Sequence, residues 1–461
     1  KMKKTMIILA ALLLAQTATG QVSARLMRYV DVSDSHICFV YGGDIWLMSR
    51  EGGSAWQLTN SPGEESWPKF SPDGSELAFS ASYNGNQDVY LMPVGGGVPH
   101  RVTYQSMGDR LVDWHPDGEQ LLIATRRESG RQSYSQFYLV DKKGGLPRKL
   151  DIPYGELASY SPDGIKMAYI TKITENYPFK RYRGGLSSDI LIHDFNSGLT
   201  ENITLSEAID GKPAWVGDEL FYLSDAGANM RLNIWVYKPG LKKAEQLTFL
   251  KDFDISFLSA GKAELVFEAG GTLYLMDAES KSYSPLKVAV SSDLSLEIPR
   301  SQFVGNNISN FTASPEGKRI IFEARGELFN VPVKEGYTLN MTRSSGAFDM
   351  LPSWSPDGKQ IAFWSDRSGE YELYLQDPDL EEEAVKLTDR GLGFGYTLCW
   401  SPDSKKIAFI DETNSIRIID VESKEEKVAG NYRYNYGHGG RYYYPMDWSP
   451  DSRWLAFTQQ M

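Results

Sequence analysis

Cysteine is nearly absent from this chain: 461 residues hold two, Cys38 and Cys399. That excludes a disulfide scaffold, although a single bridge between them remains open in an oxidising compartment. Histidine is almost as scarce. None of His36, His100, His115, His193 and His438 has the i, i+4 spacing or the neighbouring acid of a helical zinc site, so no metal is expected, and no cofactor either. A Gly-x-Ser-x-Gly elbow does not occur, which leaves serine hydrolysis without a visible carrier and no residue assigned as catalytic. An excess of positive charge is also lacking, since the formal charge is −12, and a nucleic-acid partner is excluded on that ground. Long apolar runs are missing as well. The one at 6–15 is too short to cross a bilayer, and nothing later approaches the roughly 20 apolar residues that a span needs.

That short run has a different meaning. Lys1, Lys3 and Lys4 precede it and Ala18-Thr19-Gly20 follows, the pattern of a secretory signal peptide over 1–20 with the mature chain beginning at Gln21. No cysteine stands at the cleavage point, so free export, to a periplasm if the host has one, is expected over a lipid anchor.

Present in abundance are 42 glycines, 22 prolines and 12% aromatic residues, which favour short strands and tight turns. The strongest signal is a repeat. Trp354-Ser355-Pro356-Asp357-Gly358 is followed by Ile361-Ala362-Phe363, then Glu372-Leu373-Tyr374-Leu375, then Lys386-Leu387-Thr388. The turn recurs at Phe70 to Gly74, Trp114 to Gly118, Tyr160 to Gly164, Ala313 to Gly317, Trp400 to Ser404 and Trp448 to Ser452. Successive prolines lie 44 residues apart from Pro72 to Pro116, 46 from Pro116 to Pro162, and 41, 46 and 48 along Pro315, Pro356, Pro402 and Pro450. A period of this length is one four-stranded unit, and such units stack radially because a lone sheet cannot bury both faces. In the turn, proline presets φ and glycine is free to leave it. The apolar triplets read as buried strands. Gln57-Leu58-Thr59, Arg101-Val102-Thr103 and Gln246-Leu247-Thr248 are expected to begin the outer strand.

Degenerate copies precede Ile37-Cys38-Phe39, Leu220-Phe221-Tyr222 and Leu265-Val266-Phe267. The expectation is an all-β chain: a six-bladed β-propeller over 21–290, a linker over 291–305 drawn from the unpatterned stretch 288–302, and a partial second propeller, expected to be seven-bladed, over 306–461. The second ring shows three complete blades and a fourth cut after its second strand, and its open edges call for further blades.

Trp-Ser-Pro-Asp-Gly with Ile-Ala-Phe and Leu-Tyr-Leu resembles the WD40-like repeat of TolB-type proteins and of tricorn proteases. Six blades, a linker and the start of a second ring are similar to the tricorn arrangement, as is Phe179-Lys180-Arg181-Tyr182-Arg183-Gly184-Gly185 in the fourth blade. The resemblance implies propellers that act as a gated route for peptides, with a serine nucleophile in a C-terminal part not present in this sequence. Peptides or protein substrates are then the expected partners, a homo-oligomer an expected state, and no bond cleavage is expected from this chain. The alternative is a non-catalytic TolB-like scaffold for protein–protein interaction. A prolyl-oligopeptidase-type propeller is disfavoured by the linker. The resemblance also implies an arginine pair that anchors a substrate carboxylate just before the third-blade turn. Here Arg110 matches and Asp109 replaces its neighbour, where it would offset the arginine's pull.

Peptide binding is therefore expected at Arg110, Arg181, Tyr182 and Arg183. Two guanidiniums beside Gly184-Gly185 would cradle a carboxylate, or would simply bond turn carbonyls. The recurring Asp73, Asp117, Asp163, Asp357, Asp403 and Asp451 read as turn residues, and Arg126-Arg127 as a solvated strand end. The tyrosine-rich stretch 431–444 reads as a strand or hairpin that packs against neighbouring blades or subunits, or stacks on peptides.

Overall fold

The computed structural model describes residues 21–23, 27–130, 134–173, 181, 183–185, 187–291, 303–344, 346–391, 394–431 and 445–457. The leader, Tyr182 and the tyrosine-rich stretch beyond Asn431 lie outside them. The described chain is all-β, and its one helical element is the 3-10 turn Gly305–Asn307. It divides into two compact units, the first of 1–176 and 183–299 and the second of 177–182 and 300–461.

The first unit holds six sheets: five are built from four consecutive strands in sequence order, and the sheet of blade one adds two further strands to its four. Their first strands are Arg28–Val32, Glu65–Phe70, Asp109–Trp114, Leu157–Tyr160, Asp210–Val216 and Ile255–Ala260, and these inner strands surround a common channel. Apolar side chains of successive blades interlock. One cluster joins Ile37, Phe39 and Trp46 of blade one to Val266 and Leu273 of blade six, so the ring closes by face-to-face packing.

Each piece of the repeat has a bond to make. In the turn, Ser71, Ser161, Ser355, Ser401 and Ser449 donate their hydroxyls to the aspartate two residues on at 2.6–2.7 Å. The Ser71 hydroxyl, with the amide and hydroxyl of Ser75, holds Asp73 down at about 2. The turn aspartates are thus turn chemistry, spread around the ring. The residue after each of them is left-handed, at φ 74° for Gly74 and 59° for Ser404. Tryptophan before the turn stitches blades: the indoles of Trp114, Trp400 and Trp448 donate to the carbonyls of Lys69, Ser353 and Cys399 in the preceding blade.

Two expectations are corrected here. The Leu-Thr pairs do not begin the outer strands but follow them, for Gln57 and Gln246 are the last residues of theirs. The threonine hydroxyl then turns back, as Thr59, Thr103 and Thr248 accept the amides of Ile45, Val89 and Ile234 in the third strand at 2.8, 3.0 and 2.8 Å. Nor is 288–302 uniformly unpatterned. Strand Val288–Ser291 runs parallel to the outer strand of blade one, Gly53–Gln57, and Gln21–Ser23 pairs with it in turn, a latch from beyond the last blade to the first. Parallel pairing needs a long connection, so local pattern does not reveal it.

The second unit contains three four-stranded sheets, beginning at Ile308–Ala313, Asp349–Trp354 and Gly395–Trp400, and the pair Met446–Trp448 with Leu455–Phe457. Cys38 and Cys399 are both free thiols.

Candidate functional site

The site grows out of an irregularity in the inner strands. In blades one, two, three, five and six the pairing of the first strand with the second slips by a β-bulge. A bulge re-aims a side chain, and here three bulge residues are left-handed without being glycine: Tyr29 at φ 51°, Trp67 at 56° and Lys212 at 49°. Such a conformation costs about 1–3 kcal/mol per residue. Their side chains turn into the channel. The Tyr29 ring lies 4.6 Å from Trp67 and 5.1 Å from Phe257, while the Lys212 ammonium sits 4.9 Å from the Phe257 ring and 5.6 Å from Trp67. At this waist the cavity shrinks to about 50 Å³, bordered by all six inner strands.

On one side of the waist a chamber of about 800 Å³ opens among blades one to four. Arg110 stands on its wall, where it donates to the Glu156 carboxylate at 2.8 Å and carbonyl at 2.6 Å and lies 5.2 Å from the Trp67 ring. Asp109 does not offset it. Successive strand residues point to opposite faces, and Asp109 is buried on the other side, held by both oxygens to Arg127 at 2.7 and 2.8 Å. The counter-charge to Arg110 is therefore Glu156, forty-six residues on. Arg127 is an internal ion-pair partner and only Arg126 is exposed. Arg126 and the exposed Arg28 line the chamber, and neither makes an ion pair among the described residues. Glu65, also on the wall, is pushed above the usual carboxylate range by burial, against the bonds it receives from Thr59, Tyr83 and the Ile45 amide.

On the other side lies a cavity of about 440 Å³ next to the Ser-Pro-Asp turns. Its wall carries Asp31, Lys69, Asp113 and Ser259, from blades one, two, three and six. Lys69 reaches Asp31 at 3.2 Å and Ser259, which also bonds Asp31, and Asp31 accepts the Phe70 amide at 2.8 Å. Burial opposes the Lys69 charge, yet Asp31 and Asp113 outweigh it and hold the ammonium form above its ordinary range. A lysine so held cannot serve Ser259 as a general base. Burial pushes Asp113 up to about 6, against the pull of Lys69.

Arg181 and Arg183 are not among the residues that line the chamber of about 800 Å³. Arg183 donates to the Asp225 carboxylate at 2.8 Å and to its carbonyl at 3.3 Å, the turn-bonding alternative. Arg181 is buried. Tyr182 lies outside the described residues. In the second unit Arg390 pairs with Asp411 at 3.2 Å and Glu412 at 3.3 Å, and Arg417 pairs with Glu426 at 2.6 Å. Among the described residues there is no cluster of metal-ligating side chains, and no helix is long and apolar enough to cross a membrane.

Sequence reasoning missed Tyr29, Trp67, Lys212 and Phe257, although a signal existed. Each stands three residues before the position that Trp114 holds in its own blade, here Val32, Phe70, Trp215 and Ala260.

Fold and channel together define a chain of two β-propeller units, the first a closed six-bladed ring. The profile described as the Tricorn protease N-terminal beta propeller domain matches residues 24–282, and that of the Tricorn protease second beta propeller domain matches 308–461. The chain belongs to the tricorn protease family. A tricorn protease homolog of Saccharolobus solfataricus is 25% identical over 329 residues, 69% of this chain and 29% of its own length. A relative from Streptomyces coelicolor, also named a tricorn protease homolog, is 24% identical over 443 residues, 90% of this chain and 36% of its own. The crystal structure of the tricorn protease superposes with a TM-score of 0.53 at 21% identity, covering 94% of this chain and 41% of that one. This chain thus spans between 29% and 41% of the length of these relatives.

Proposed function

We propose that this chain is the peptide-binding, substrate-gating propeller portion of an exported tricorn-like serine peptidase, and that it contributes binding but no bond cleavage. The leader over 1–20 would direct export, 21–290 would form the binding ring, and 306–461 would begin a second ring completed by further blades. The observation that carries the reading is the 800 Å³ chamber with Arg28, Arg110 and Arg126 around it, on a chain whose overall charge is negative. A guanidinium gives a carboxylate two parallel hydrogen bonds, and a peptide end is the carboxylate that a peptidase must recognise.

The test is calorimetric titration of the 21–461 chain with a short peptide bearing a free C-terminal carboxylate, and with its amide. Arg126→Ala is expected to weaken the acid by about 1.5–3 kcal/mol, the range for hydrogen bonds to charged groups, and to leave the amide nearly unchanged. Arg110→Ala is expected to act in the same direction but less cleanly, because it also releases Glu156. Equal losses for acid and amide would sink the assignment. Release of product from any peptide in these titrations would contradict the non-catalytic part.

A further inference from the structure

We propose that the aromatic waist of the first propeller is the floor of a side-chain subsite, which selects peptides whose last residue is aromatic or bulky and apolar. The proposal rests on the peptide-binding reading above and adds the specificity of that site.

Three observations lead to it. Tyr29 and Trp67 are half-buried aromatics that back onto blade cores and also line the channel, and both hold left-handed backbone that glycine would adopt freely. Backbone strain spent to aim a side chain at a cavity points to a use for that side chain. Next, the space at the waist is about 50 Å³ against about 800 Å³ in the chamber, so the channel is narrowest where these rings stand. A chain end entering the 800 Å³ chamber meets these rings at the narrowing, since both line chamber and waist. Finally, the floor is held in place, since the guanidinium of Arg110 lies 5.2 Å from the Trp67 ring while Glu156 fixes Arg110, and the Lys212 ammonium lies 5.6 Å from Trp67 on its own approach. Rings so held form a preorganised apolar surface that needs no ordering on binding.

Charge decides what is accepted. Arg110 and Lys212 beside the rings, and Arg28 and Arg126 higher on the wall, favour the terminal carboxylate and repel a terminal lysine or arginine. Of the carboxylates on the same wall, Glu65 is engaged by Thr59 and Tyr83 and Glu156 by Arg110, while Glu64 is exposed. An aromatic last residue would thus meet aromatic floor and cationic wall at once.

The experiment uses the 21–461 chain and acetylated tetrapeptides that differ only in the last residue, Phe, Leu, Ala or Lys, each as acid and amide. The Phe acid is expected to bind at least about tenfold tighter than the Ala acid, and the Lys acid weakest, from the apolar area that Phe buries. Trp67→Ala should shrink the Phe/Ala ratio to within about twofold, the Phe acid losing more affinity than the Ala acid. Should Trp67→Ala not fold, Trp67→Phe is read instead: the Phe preference must persist, while the tryptophan emission change that accompanies binding must disappear. Peptides that bind with no dependence on the last residue, or a Trp67→Ala variant that weakens all of them equally, overturn the subsite but leave peptide binding standing. Failure of every peptide to bind overturns the peptide-binding reading itself, and the subsite with it.

Discussion

Arg110 and Glu156 lean on each other across two blades, the guanidinium donating to the carboxylate at 2.8 Å and to the carbonyl of the same residue at 2.6 Å. Both side chains are largely withdrawn from solvent, at 13% and 11% exposure, so each is the other's main compensation for lost water. Arg110→Ala strands the Glu156 carboxylate and is expected to cost about 2–4 kcal/mol in urea unfolding, somewhat under the figure for fully buried pairs. Glu156→Gln, which leaves the carbonyl bond, should cost less. The double variant should cost less than the two single losses added together.

The latch strand carries its own stability. Val290 is 1% exposed and packs in the cluster that joins blade one to blade six. Val290→Ala is expected to destabilise the first ring by about 1.5–3 kcal/mol, the value of burying such a side chain. A lower urea midpoint with an unchanged slope checks this, and an unchanged midpoint would show that the ring closes without the latch.

Asp113 gives the first ring a dependence on pH. Its folded value of about 6 lies above the ordinary carboxylate value of 3.8, because burial disfavours the charge. The folded chain then keeps a proton that the unfolded chain has released, so this residue lowers stability as pH rises from about 4 to 6. Asp113→Asn should therefore flatten the stability profile over that window and gain roughly 1–2 kcal/mol at pH 7. A parallel profile for the variant would show that Asp113 titrates normally.

The two thiols should be inert in the folded chain. Burial is the first cause that raises both, Cys38 well above its ordinary range and Cys399 to about 11. Ellman's reagent at pH 8 is expected to find close to none in native protein and two after unfolding in guanidinium without reductant. Zero after unfolding would mean that the free thiols described here are joined in the purified protein.

Some of the candidate site was within reach of the sequence. The adjacency of Asp109 and Arg110 suggested mutual cancellation, but strand alternation sends them to opposite faces, where Arg127 and Glu156 are their respective partners. Arg126, read as a solvated strand end, is exposed to the chamber. The pairing of Arg110 with Glu156 could not be anticipated, because it links residues one whole blade apart and depends on how neighbouring sheets stagger.

By itself the sequence determined the unit of construction. Ser71 to Gly74 and its copies close their hydrogen bonds within a few residues, and apolar triplets such as Leu77-Ala78-Phe79 bury wherever a second sheet covers them, so turn, strand and blade number follow from local chemistry. Tertiary structure alone decided what the channel contains. Tyr29, Trp67, Lys212 and Phe257 stand in equivalent places in blades one, two, five and six, with up to 228 residues between them. They meet only because six sheets close into a ring and bulges turn those side chains inward. Closure is a long-range event, and no window of sequence records which residues it will bring face to face.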